Sequence, residues 1–276
     1  MRNDITRALS ALTALLLAMP VLAHDSWLSL APAPAPGALL REFRLSTGHH
    51  FPEPEDASRT ARIARAELEL ADRRLPLLPA PPQARWLPLK VAAGEQALLK
   101  ISLSLWPATI ELDAGQVESY LQEAGDTGAA AQRHAELGRW RERFEKHARS
   151  LARLRPGPAD PRASVPSGQT LELVPRSDPT VLAQGEALTV CALGAGAPLA
   201  DLQIGLIEAD GQSSAARTGA DGCVEFRPRR PSGYLLRSVW LRPSSSAEFD
   251  WESHFASLTV FIDTAGDSSS TTGSSP

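Results

Sequence analysis

Alternation of apolar and polar residues predicts β-strands over most of this chain. Residues 39–46, 63–70 and 97–105 switch between apolar and polar positions with a period of two, which is typical of a strand with one buried face. Shorter apolar runs at residues 75–78 and 86–91 stand between proline clusters. Strands at this spacing, separated by Pro and Gly turns, predict an N-terminal β-sandwich region over residues 24–113.

A second group of apolar runs follows the Pro- and Gly-rich residues 155–168. These runs predict strands at residues 171–174, 187–193, 198–207, 223–226, 234–241 and 255–262. About seven strands in some ninety residues is the count of an Ig-like sandwich. We therefore predict a C-terminal Ig-like domain over residues 161–263, followed by a disordered Ser- and Thr-rich tail at residues 264–276.

Between the two β regions the pattern becomes helical. Residues 116–123 have helical spacing that ends at Gly125. Residues 129–154 place Trp140, Phe144 and Ala148 on one apolar stripe, which predicts an amphipathic helix. The predicted class is therefore mainly β, with two Ig-like sandwich regions and a helical insertion and linker at residues 114–160.

The first residues have the pattern of a secretory leader. Arg2 and Arg7 precede an apolar run of about 15 residues, which is shorter than the ~20 needed to cross a bilayer. Cleavage after Ala23 would remove residues 1–23 and make His24 the first mature residue. We therefore expect a periplasmic or secreted protein with no membrane span in the mature chain.

Net charge argues against a nucleic-acid partner, and the two cysteines raise the question of a disulfide. The net charge of −4 provides no electrostatic footprint for nucleic acid. Cys191 and Cys223 are a pair that an oxidising compartment would allow to form a disulfide, and two separate buried thiols are the alternative.

Histidines are the residues that suggest chemistry. A mature His24 would offer its α-amino group and its imidazole to one metal ion, and further imidazoles occur at His49, His50 and His254. Such ligands suit Ni(II), Co(II) or Cu(II), and Zn(II) is also compatible with them. Asp25 and Glu53 are carboxylates that could orient an imidazole. His147, on the apolar stripe of the predicted helix, is expected to be a packed structural residue.

No motif of a catalytic nucleophile, a zinc protease or a phosphate-binding loop occurs, so we expect a protein that is not an enzyme.

Four segments together resemble a known family. Residues 23–28, 48–51, 171–179 and 250–259 resemble the DUF4198 family, whose members are exported bacterial proteins grouped with periplasmic components of nickel or cobalt uptake. The resemblance implies a periplasmic β-sandwich protein with a role in transition-metal transport. We therefore expect a protein that binds Ni or Co and hands it to a membrane transporter. It also implies a ligand role for the mature N-terminal His24.

Two other hypotheses stay open. The chain could be an Ig-like interaction module that binds no metal, with incidental histidines. It could also be a copper protein that uses an N-terminal histidine chelate.

Overall fold

The computed structural model describes residues 25–35, 38–125, 139–230 and 232–262. The predicted leader, His24 and the predicted tail lie outside these ranges. The first half contains the strands β1 Asp25–Leu30, β2 Leu40–Gly48, β3 Asp56–Ala57, β4 Ile63–Glu69, β5 Arg74–Pro76, β6 Leu78–Pro79, β7 Trp86–Ala92, β8 Leu98–Leu105 and β9 Ala108–Asp113, and the helix α1 Ala114–Ala124. The second half contains β10 Arg139–Arg153, β11 Leu171–Pro175, β12 Leu188–Gly194, β13 Ala197–Pro198, β14 Gln203–Glu208, β15 Ser213–Arg217, β16 Cys223–Phe226, β17 Tyr234–Pro243 and β18 Trp251–Ile262.

The described strands form three sheets. Nine strands make the large sheet, in the order β15-β14-β17-β18-β10-β8-β4-β5, with β9 also paired to β10. A five-stranded sheet contains β1, β2, β3, β6 and β7, and a four-stranded sheet contains β11, β12, β13 and β16. The mainly β class is therefore confirmed. The finer prediction of two Ig-like sandwiches is not confirmed, because the large sheet takes strands from all three of the regions proposed from sequence.

The two smaller sheets cover opposite faces of the large one. One core joins Phe43 and Leu45 of the five-stranded sheet to Ala148 and Ala152 of β10. A second core joins the four-stranded sheet to the other face of β10, where Leu151 points. Side chains alternate between faces along a strand, so the even-numbered residues of β10 lie on the face that the five-stranded sheet and α1 cover, and the odd-numbered residues lie on the face that carries the four-stranded sheet.

The predicted helix over residues 129–154 is wrong for residues 139–153, which form β10; residues 129–138 lie outside the described ranges. A spacing of four residues places Trp140, Phe144 and Ala148 on one side of a helix, but four is also an even number and keeps them on one face of a strand. Two arginines that follow them on β10 are buried by pairing with carboxylates: Arg149 contacts Glu172 at 3.1 Å and Arg153 contacts Asp178 at 2.5 Å.

One α-helix, α1, lies within residues 114–125, and the predicted helical insertion over residues 114–160 is not confirmed. Asp113 caps its first turn by accepting a hydrogen bond from the Gln116 amide, and Gly125 ends it in a left-handed conformation. Within the described residues, no helix is both long and apolar enough to span a bilayer.

Candidate metal centre

The large sheet separates the three described histidine candidates, His49, His50 and His254, onto its two faces. Ser257 of β18 donates a hydrogen bond to the Ser26 carbonyl in β1, so its side chain lies on the face that the five-stranded sheet covers. His254 is three positions away on the same strand and therefore faces the opposite side. His49 and His50 lie on the side of β1, because they follow β2 of the five-stranded sheet directly.

His254 instead meets two residues of β10. Strands β10 and β18 pair in parallel, with Glu145 opposite His254 and His147 opposite Ala256. Glu145 and His147 are two positions apart on β10 and so share a face. Among the described residues, Glu145, His147 and His254 form a group whose potential ligand atoms all lie within 4.8 Å of one another. We call these three residues the Glu145 cluster.

Burial and hydrogen bonds orient the two imidazoles. His147 and His254 expose only 5% and 6% of their surfaces, and their rings stack with centroids 6.1 Å apart. His147 Nδ1 lies 3.1 Å from Ser104 Oγ. When that hydroxyl accepts a hydrogen bond from Nδ1, the lone pair of His147 is on Nε2, which lies 3.7 Å from Glu145 Oε2.

His254 presents Nδ1 to the same carboxylate, at 3.5 Å from Glu145 Oε2. Its Nε2 lies 3.5 Å from Arg242 Nη2, at the limit of a hydrogen bond, while Arg242 also donates to Glu252 at 3.1 Å. Ligation through Nδ1 requires the proton to be on Nε2. In that form Arg242 would keep its bond to Glu252 and release His254.

Both imidazoles are held in the neutral form. Burial, assisted by the neighbouring His254, lowers the pKa of His147 to about 4. Burial also lowers the pKa of His254, against the opposing effect of Glu145. Neutral imidazole is the form that binds a metal. Two imidazoles and one carboxylate suit Fe, Co, Ni, Cu or Zn, and three protein ligands leave coordination positions open.

A separate cavity of about 500 Å³ lies on the other face of the large sheet, and three of the residues proposed from sequence line it: Asp25, His49 and His50. We call it the N-terminal pocket; its wall includes Asp25, His49, His50, Phe51, Glu123 and Arg237. Asp25 accepts a hydrogen bond from Arg237 at 2.8 Å. Burial raises the pKa of Asp25 although Arg237 opposes the shift, and burial also raises the pKa of Glu123.

Glu55 is the carboxylate that contacts the adjacent histidines. Its side chain lies 2.7 Å from His49 Nδ1 and 3.7 Å from His50 Nδ1. Glu53, the carboxylate chosen from sequence, is exposed and contributes its backbone N–H to the His50 carbonyl. The difference arises because the turn after β2 brings Glu55 back against Thr47 through a backbone hydrogen bond.

His24 lies outside the described residues, so its role stays a prediction. Its covalent neighbour Asp25 lines the N-terminal pocket together with His49 and His50. The structure thus brings Asp25, His49 and His50 together and separates His254 from them.

Sequence reasoning missed Glu145 and His147 as partners of His254. The prediction of a helix assigned His147 to an apolar stripe. A strand assignment for the same residues would have placed Glu145 and His147 on one face, as a carboxylate and an imidazole two positions apart.

The two cysteines occupy directly paired positions on β12 and β16 and are joined by a disulfide. A disulfide fits an oxidising compartment. The bridge lies within the four-stranded sheet, to which β12 and β16 both belong. Arg176 donates to both sulfur atoms, at 3.2 Å to Cys191 and 3.1 Å to Cys223.

Comparison with solved structures finds distant likenesses. A structure of a bacterial ice-binding adhesin retained at the host cell surface is 11% identical, with a TM-score of 0.22, and the match covers 87% of this chain and 65% of that one. The BSP domain of a biofilm-associated protein is 9% identical, with a TM-score of 0.17, and the match covers 86% of this chain and 51% of that one. At these TM-scores neither likeness bears on fold or function.

Comparison with the sequences of characterised proteins finds no match. The sequence pattern of DUF4198, a domain of unknown function, matches residues 21–241, which is most of the chain. This protein therefore belongs to the DUF4198 family.

Proposed function

We propose that this protein binds a divalent transition metal through Glu145, His147 and His254. The observation that carries the proposal is the convergence of one carboxylate and two imidazoles within 4.8 Å on two adjacent strands. Strands fix their side chains more rigidly than loops do, so the three ligands are already held near one another before an ion arrives.

Unsatisfied polar atoms support a ligand at this position. In the described part of the chain, His147 Nε2 and His254 Nδ1 are buried and have no hydrogen-bond partner. Leaving such an atom buried without a partner costs about 1–3 kcal/mol. A metal ion between the two rings would satisfy both atoms and would also neutralise Glu145.

The family resemblance favours Ni or Co over Cu or Zn, and it favours delivery of the ion to a membrane transporter as the role of the protein. The disulfide supports an oxidising compartment, as expected of an exported protein. Metal identity, export and the transporter partner are parts of this proposal.

Calorimetric titration of the mature protein with Ni(II), with metal content measured by mass spectrometry, tests the proposal. We expect Glu145→Gln and His254→Ala to weaken binding at the Glu145 cluster by at least about tenfold, as loss of one metal ligand implies. Glu111→Gln is the matched control for the carboxylate, because the Glu111 side chain on β9 is 61% exposed and lies outside both the Glu145 cluster and the N-terminal pocket. Unchanged binding in both cluster variants would refute the proposal.

The N-terminal pocket favours a second candidate position for the metal. Asp25 lies in this pocket with His49 and His50, and His24 is one peptide bond away. In this candidate the mature amino group and imidazole of His24 form the chelate, and His49 or His50 completes it. This candidate requires a mature chain that begins at His24, which a measurement of the intact mass checks. It also requires that His24→Ala abolishes metal binding and that Glu145→Gln leaves metal binding unchanged.

A further inference from the structure

A pocket opens beside the Glu145 cluster, on the same face of the large sheet. Its volume is about 410 Å³, and its wall includes Arg65, Ser104, Trp106, Arg143, Glu145 and His147. We call it the Arg65 pocket. Because Glu145 and His147 belong both to this wall and to the cluster, an ion held by the cluster would have an open coordination position toward the pocket.

Strand register places both arginines on the face of the large sheet that carries the cluster. Arg65 of β4 lies opposite Ser104 of β8, and Ser104 lies opposite His147 of β10. These three residues form one row across the sheet, so Arg65 is about 10 Å from His147 at the backbone, or two strand spacings. Arg143 precedes Glu145 by two residues on β10 and shares its face.

The carboxylates near Arg65 and Arg143 lie too far from the guanidinium groups to accept short hydrogen bonds from them. Arg143 lies 3.8 Å from Glu145 and 3.9 Å from Glu252, distances beyond a hydrogen bond. Arg65 lies 3.7 Å from Glu67 and donates to the Ser167 carbonyl at 3.4 Å. Arginine binds carboxylates through two parallel hydrogen bonds, a geometry that such donors allow.

Charge argues for an anion in this pocket. A divalent ion with two neutral imidazoles and one carboxylate carries a net charge of +1. Arg65 and Arg143 add positive charge beside it, partly offset by Glu67 at 3.7 Å and Glu252 at 3.9 Å. An anionic ligand is attracted by the metal ion and by both guanidinium groups. The exposed Trp106, with 57% of its surface accessible, provides an apolar wall for a small organic molecule.

We infer that the Arg65 pocket binds a small dicarboxylate, with one carboxylate on the metal and the other on Arg65 and Arg143. This inference rests on the proposed metal site. The bound species would then be a metal–dicarboxylate complex, and Arg65 and Arg143 would select the anion.

Equilibrium dialysis of radiolabelled succinate against the Ni(II)-loaded mature protein tests the inference, with nickel quantified in the same samples. We expect about one succinate per bound nickel, no retention by the metal-free protein, and no displacement by the uncharged analogue succinamide. Arg143→Gln and Arg65→Gln should each weaken succinate binding by at least about tenfold, as loss of a charge-assisted hydrogen bond implies, with nickel content unchanged.

Arg139→Gln is the matched control, since Arg139 lies on the same strand with a side chain 73% exposed and outside the pocket. Failure to retain succinate with nickel bound, or equal retention in the arginine variants, would overturn the inference while leaving the metal site intact. Retention by the metal-free protein would overturn the bridging geometry. Absence of bound nickel would overturn this inference together with the proposed function, and the nickel measurement distinguishes that result from the others.

Discussion

Glu142 should make the stability of this protein fall as the pH rises through neutrality. Glu142 lies in β10 and exposes only 2% of its surface. Oε1 accepts hydrogen bonds from Ser253 Oγ and from the Tyr120 hydroxyl, the latter at 3.3 Å. Within the described residues Oε2 is buried with no hydrogen-bond partner. Burial raises the pKa of Glu142 from 4.5 to about 7, against the smaller opposing effect of these donors.

The direction of the effect follows from proton linkage. The folded state binds a proton at Glu142 more tightly than the unfolded state does. Its contribution to stability is therefore complete below pH 4.5 and is lost as the pH rises through 7. A difference of about 2.5 pKa units, from 4.5 to 7, corresponds to about 3 kcal/mol at 1.36 kcal/mol per unit.

Glu142→Gln removes the titrating group and keeps the side-chain shape. We expect the variant to be more stable than the wild type by about 3 kcal/mol at pH 9, relative to the difference between the two proteins at pH 4.5. Urea denaturation followed by tryptophan fluorescence at a series of pH values measures this difference. Glu111→Gln is the control, because the Glu111 side chain on β9 is 61% exposed. A difference that stays constant with pH would refute the reasoning.

Three further predictions concern stability. Replacing both Cys191 and Cys223 by Ala should lower the free energy of unfolding by about 3–4 kcal/mol, since the bridge closes a loop with a sequence separation of 32; chemical denaturation without reductant measures it, and an unchanged midpoint would contradict it. Arg149→Met should cost about 3–5 kcal/mol because it leaves Glu172 buried without its ion-pair partner at 3.1 Å; adding Glu172→Gln, which removes the charge but keeps an acceptor for the backbone N–H groups of residues 167–169, should recover part of this loss, and no recovery would argue against the ion pair as the cause. Gly125→Ala should cost about 1–2 kcal/mol because residue 125 has φ +65°; thermal unfolding checks this, and an unaltered Tm would contradict it.

The strands that sequence predicted well are those in which alternation and burial agree. Residues 97–105 were predicted as a strand and form β8, Leu98–Leu105, with its apolar residues buried on two covered faces. Residues 116–123 were predicted as a helix and lie within α1, which has a capping aspartate and a terminal glycine. These signals depend on near neighbours in the chain, so a sequence reading can detect them.

β10 is the element for which local pattern was insufficient. Its arginines resemble the solvated face of a helix, but Arg149 and Arg153 are buried against carboxylates of later segments. Sequence contains no sign of which distant acid will pair with which base. The energy that places these residues in a strand comes from contacts that form only when the sheets pack.

The sequence by itself determined the mainly β class, the location of most strands and the end of α1, because each depends on spacing within about ten residues. Only the tertiary structure decided which histidines meet. The parallel pairing of β10 with β18 brings His147 and Glu145 beside His254, which is more than a hundred positions later in the chain. It also turns His254 away from Asp25, His49 and His50, because alternate residues of a strand point to opposite faces of the sheet.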